Sequence, residues 1–125
     1  MPRKIPWSLK VITPQAKAKA MFTIGLSLKL RPGAYEQYKL AHEQLWPELA
    51  TGMTANSVSM AIYRDGDRLF LFAAAPCEAH WQRSRQDPVL VRWDAKMAKL
   101  LETDPRGDGI AFTKLEKAFG FGDFK

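Results

Sequence analysis

From Phe22 to Leu30 the chain alternates without a break. Phe22, Ile24, Leu26, Leu28 and Leu30 are apolar, and Thr23, Gly25, Ser27 and Lys29 separate them. Successive residues of a strand point to opposite faces, so this segment is a half-buried strand whose apolar side needs a covering layer. Arg31-Pro32-Gly33 ends it. Tyr35, Tyr38, His42, Leu45, Trp46 and Leu49 then recur at the three- and four-residue spacing of a core-facing helix stripe. Pro47 interrupts that stripe. It lacks an N–H and its ring clashes with the preceding turn, so a kink or a restart is expected near Trp46, with Gly52 as the helix end.

The remaining elements follow in order. Val58, Met60 and Ile62 mark a second strand, Arg64-Asp65-Gly66-Asp67 a hairpin turn with Asp-Gly as its strongest signal, and Leu69 to Ala75 a third strand. The near-continuous apolar run of that third strand suggests burial on both faces. Pro76 to Arg85 reads as a short helix. Pro88 to Leu101 reads as a longer one capped by Asp87. Ala111 to Phe119 reads as a last strand with Phe112, Leu115 and Phe119 as its contacts. The class is therefore α+β in the ferredoxin-like β-α-β-β-α-β order. Its helices are expected on one sheet face. About 105 residues cannot also cover the other, so the run through Leu71 and Phe72 implies a homodimer.

Charge narrows the partners. The net charge is +6, but residues 1–20 hold five of the 19 basic residues and none of the 13 acidic ones, leaving 14 against 13 elsewhere. Residues 1–20, with Pro2, Pro6 and Pro14, are expected to form a flexible basic arm, and residues 21–125 the folded domain. A nucleic-acid footprint needs clustered basic residues on the folded body, and none is evident. No run approaches the roughly 18 apolar residues of a membrane span. No apolar run of about 7–15 residues suggests a secretory signal. The single Cys77 rules out an internal disulfide framework and suits a reducing, cytoplasmic compartment.

Little in the chain suggests covalent or metal chemistry. His42 and His80 are the only histidines and lie a hairpin apart. No His/Cys cluster has metal-ligand spacing, and there is no phosphate-binding glycine loop. Cys77 has no obvious base beside it in the sequence. Acid–base work or plain binding remains. Tyr38 and His42 share a helix face, and Trp46 lies a turn further on. An imidazole with an ordinary pKa of about 6.5 both gives and takes a proton near neutrality. A phenol orients it, and an indole offers a flat apolar surface. This trio suits proton transfer on a small polar molecule with one apolar face, such as a deoxy sugar. The same stripe also reads as a plain core face.

The segment Tyr35-x-x-Tyr38-x-x-x-His42-x-x-Leu45-Trp46-Pro47-Glu48-Leu49 resembles the L-rhamnose mutarotase family. The likeness extends through Ala61-Ile62-Tyr63, Glu78-x-x-Trp81, Asp87, Arg92-Trp93-x-x-x-Met97 and Leu115-x-x-x-Phe119, covering residues 21–125 in register with small gaps. It implies a dimeric α+β barrel that interconverts the α and β anomers of a sugar without a cofactor. It also implies that His42 is the proton donor and acceptor, and that Tyr38 and Trp93 contact substrate. Trp93 would stack on the apolar sugar face or the C6 methyl.

Two positions depart from the family pattern. Met60 stands where the family commonly has a substrate-contacting Tyr, and Asp94 where it has a second Trp. A carboxylate accepts hydrogen bonds from vicinal hydroxyls. Met60 and Asp94 thus join Tyr38, Trp46 and Trp93 as expected substrate contacts, and the sugar is L-rhamnose or a related 6-deoxy sugar such as L-fucose. Two rival readings share the fold: a small cofactor-free monooxygenase and a non-catalytic sugar-binding dimer.

Overall fold

The computed structural model describes residues 21–107 and 109–125, and the expected arm over residues 1–20 lies outside them. Four strands form one antiparallel sheet: β1 (Phe22–Lys29), β2 (Ser59–Asp65), β3 (Arg68–Ala75) and β4 (Phe112–Lys114), in the order β2-β3-β1-β4. Between β1 and β2 come α1 (Tyr35–Glu43) and α2 (Pro47–Ala55); between β3 and β4 come α3 (Glu78–Arg85) and α4 (Val89–Met97). The α+β class and the order of elements along the chain agree with the expectation: the second crossover holds the two helices read there, and the first is split in two at its proline.

Pro47 accounts for the first split. Continuing α1 through it would press its ring against the carbonyl of Glu43, four residues back. The helix ends at Glu43, and Trp46, restricted by the following proline, is extended at φ −61, ψ 133. Pro47 then opens α2 at a position where its missing N–H costs nothing. The restart falls where it was expected, but the stripe does not run through it unbroken. Gly52 is not the helix end: it lies inside α2, which runs to Ala55. Its role is close approach, since a Cβ there would stand 3.0 Å from Asp87 Oδ2.

The hairpin turn falls within residues 64–67 as expected, its two-residue loop being Gly66-Asp67, with Gly66 at φ 62 and Asp65 paired to Arg68. Other boundaries move for identifiable reasons. α4 stops at Met97 rather than Leu101, because its last turn tightens into three-residue hydrogen bonds. The Arg31 guanidinium donates to Ala98 O at 3.3 and 3.1 Å, and Arg31 N–H to Leu100 O at 2.9 Å. Asp87 does cap α4, accepting from Val89 N–H at 3.0 Å. β4 spans only Phe112–Lys114, not residues 111–119: after Leu115 N–H donates to Gly25 O, the chain leaves β1. Phe119 is left 82 % exposed instead of packing.

The helices cover one sheet face. Leu28, Ile62 and the buried Leu69 pack there against Val89, Leu90, Trp93 and Met97 of α4 and Tyr38 and Ala41 of α1. Ala73 and Ala75 are small, which lets Trp81 of α3 settle on β3. The opposite face is not buried within one chain. The C-terminal segment covers part of it, with Phe124 edge-on to Phe72 at 5.1 Å and Ala74 buried, yet Phe70 and Phe72 remain 36 % and 38 % exposed. None of the described helices is long and apolar enough to cross a membrane.

Leu69, 1 % exposed, is surrounded by helix and sheet, whereas Val91 of α4 is 75 % exposed. Leu69→Ala should cost about 2–5 kcal/mol in urea unfolding, and Val91→Ala about 0.5 kcal/mol or less. Equal effects would contradict this core.

Candidate active site

Two adjoining cavities, of about 590 and 880 Å³, share six lining residues: Tyr38, His42, Met60, Ile62, Arg85 and Trp93. The helix break and the strand pleat bring them together. Tyr38 and His42 lie one turn apart in α1, and Met60 and Ile62 are alternate residues of β2 on the helix-covered side. Trp93 comes from α4, and Arg85 is the last residue of α3.

His42 Nδ1 lies 2.8 Å from the backbone oxygen of Tyr38. A carbonyl only accepts, so Nδ1 carries the proton and donates it, and Nε2 keeps its lone pair in the neutral ring. Among the described residues no carboxylate holds the imidazole: Glu43 pairs with Lys39 and Glu48 with Arg92. The Tyr38 ring sits 4.3 Å from the His42 ring, and Trp93 meets His42 edge-on at 5.3 Å. Burial lowers the pKa of His42 from its ordinary value, and the bond to Tyr38 O opposes this only in part. Burial also pushes the Tyr38 phenol up to about 12, so it remains a proton-bearing donor. No described residue hydrogen-bonds that hydroxyl, although the tyrosine is only 6 % exposed.

The other expected contacts divide. Trp93 is both core and cavity wall. Met60 lines both cavities and Asp94 the larger one. Trp46 lines neither. Displaced from the α1 stripe by the break, it packs edge-on against Trp93 at 5.2 Å, with Arg92 and Lys96 over its ring.

Two features escaped the sequence reading. Arg85 stands in the shared wall. A charged residue on the polar helix EAHWQRSR reads as solvated, and the one local hint was its four-residue spacing from Trp81, over whose ring its guanidinium lies at 5.4 Å. Cys77 does have a base beside it: Sγ is 3.1 Å from His80 Nδ1, three residues on across the start of α3. That hydrogen bond is the main reason the thiol is pulled down to about 7. This pair lines neither cavity.

The arrangement therefore offers a neutral imidazole with a free lone pair, a phenol donor and an apolar floor in cavities roomy enough for a small molecule. Comparison with known proteins places the chain in a family. Residues 23–121 match the family model described as L-rhamnose mutarotase. An L-rhamnose mutarotase of Burkholderia orbicola is 36 % identical over 90 residues, covering 70 % of this chain and 86 % of that protein. One from Klebsiella pneumoniae is 32 % identical over 95 residues, covering 74 % and 90 %. The crystal structure of an L-rhamnose mutarotase from Formosa agariphila superposes with a TM-score of 0.66 at 26 % identity, covering 81 % of this chain and 99 % of that one. This chain belongs to the L-rhamnose mutarotase family, whose activity is the anomer interconversion of a sugar isomerase.

Proposed function

We propose that this protein interconverts the α and β anomers of an aldose, with His42 moving the proton and Tyr38 assisting. L-rhamnose and L-fucose are the first sugars to try. The observation that carries the reading is the His42 Nδ1–H bond to Tyr38 O, which leaves Nε2 free on a ring that lines both cavities.

Mutarotation removes a proton from the anomeric hydroxyl and adds one to the ring oxygen, breaking the C1–O5 bond. Rotation of the freed aldehyde and the reverse steps close the other anomer. The two oxygens share one carbon, so one imidazole can serve both. With its proton affinity lowered by burial, His42 is neutral at pH 7 and acts first as base. The resulting imidazolium then returns the proton to the ring oxygen. Because the resting ring is neutral, protonation of the ring oxygen is the second act of His42 and not its first. The Tyr38 O–H supports the oxygen that gains charge, and Met60, Ile62 and Trp93 face the apolar side of the sugar.

A second copy of the chain on the uncovered sheet face is part of the same reading. Phe70, Phe72 and Tyr63 are exposed there side by side, with Tyr63 paired to Phe70 across β2 and β3. An apolar surface of this kind is usually an interface. The single Cys77, which has no disulfide partner, suits a cytoplasmic setting.

Saturation transfer between the two anomeric proton signals should show faster exchange with wild type, and His42→Ala should lose about 10²–10⁴-fold of it. Equal exchange by the two would reject the role of His42. The acid limb of kcat/KM should have its midpoint below 6.5, because the base form persists below the ordinary pKa. A midpoint above 6.5 would contradict this. By the same linkage the fold loses stability as pH falls from the unfolded value of about 6.5 through the lower folded one. For the dimer, sedimentation equilibrium should give twice the chain mass, and Phe72→Lys should shift it toward the monomer. A wild-type monomer at micromolar concentration would reject the interface.

A further inference from the structure

Arg85 and Asp94 lie together in the wall of the larger cavity, beside His42, Met60 and Trp93. The turn between α3 and α4, held by the Asp87 cap, brings the end of one helix to the middle of the next. Trp81, one turn back, carries the Arg85 guanidinium over its ring. Arg85 and Asp94 sense each other electrostatically, and each is partly desolvated at its charged end although exposed as a whole. Yet neither belongs to an ion pair among the described residues. Of the other cations lining the two cavities, Lys39 pairs with Glu43, Arg64 donates to Gly66 O and stacks on Tyr35, and Lys114 comes from β4 rather than from the α3–α4 side.

We infer that Arg85 and Asp94 form a donor–acceptor clamp on two neighbouring hydroxyls of the sugar, making a vicinal diol a requirement of this site. The inference rests on the mutarotase reading for the identity of the ligand but not for the chemistry of the pair. A guanidinium only donates and an ionised carboxylate only accepts. A group that bridges them must do both. A hydroxyl does, whereas an ammonium, a carboxylate or a methyl does not. Two adjacent hydroxyls meet both needs, one giving its proton to Asp94 and each offering a lone pair to the planar fork of Arg85. Met60 and Ile62, which line the same cavity, are apolar and suit the C–H side of a sugar ring. Specificity of this kind is strong because an analogue lacking the hydroxyl leaves charged groups unmatched.

The test compares wild type, Arg85→Met, Asp94→Asn and Arg85→Lys on L-rhamnose and on analogues each lacking one ring hydroxyl. Exchange is read by saturation transfer and binding by ligand-observed NMR. Arg85→Met and Asp94→Asn should raise KM about 10- to 100-fold, leave the pH midpoint set by His42 unchanged, and erase the penalty for removing one hydroxyl of the diol. Arg85→Lys should recover part of the loss. A wild-type KM and a wild-type penalty in both Arg85→Met and Asp94→Asn would overturn the clamp while leaving the mutarotase reading intact. Pair-dependent binding of L-rhamnose without any exchange would reject the mutarotase reading and keep the clamp. Failure of wild type to bind L-rhamnose or any analogue would overturn the clamp as well. Both residues are exposed, so the variants should fold, and unchanged thermal unfolding separates lost recognition from lost structure.

Discussion

Pro47 is the constraint from which the helical layer follows. Its ring forbids a helical carbonyl at Glu43, so α1 ends there. Trp46 must be extended, and α2 begins afresh at an angle of its own. His42 thereby falls in the last turn of a nine-residue helix too short to persist alone. What holds α1 is its packed face, where Tyr38 and Ala41 press on the α4 residues Leu90, Trp93 and Met97. The break also frees Trp46 to close the far side of Trp93. Trp93 is then held edge-on between Trp46 and His42, and this small aromatic stack sets where the imidazole can stand.

The two histidines show how one contact decides chemistry. Both use Nδ1. Against the Tyr38 carbonyl, His42 must donate, which leaves a basic Nε2 in a partly dry cavity. Against the Cys77 thiol, His80 meets a group that can lose its proton, and the thiol is the one whose affinity falls. The first arrangement stores a proton acceptor beside an apolar floor. The second activates sulfur away from the cavities.

Much of the fold was legible because it depends on local periodicity. The alternation at Phe22 to Leu30, the turn at Gly66 and the Asp87-Pro88 helix start all appear where the residues put them. Boundaries set by distant partners were not legible. The end of α4 depends on Arg31, and the interior place of Gly52 depends on Asp87. The length of β4 depends on where the chain parts from β1. Of the cavity wall, Tyr38 and His42 were legible from spacing, and Met60, Trp93 and Asp94 only from the family resemblance. Trp46 stands outside that wall because the break at Pro47 takes it off the α1 stripe. Arg85 was invisible because its neighbours in sequence are polar; only the fold turns it toward Asp94 and the sheet.

The account depends most on the proton arrangement of one ring. Nitrogen-15 NMR of the His42 imidazole at pH 7 reads it directly. The expected spectrum has a protonated, pyrrole-type Nδ1 and an unprotonated, pyridine-type Nε2, with this state persisting to below pH 6.5. An unprotonated Nδ1, or a ring already doubly protonated at pH 7, would contradict a neutral His42 base aimed by the Tyr38 carbonyl.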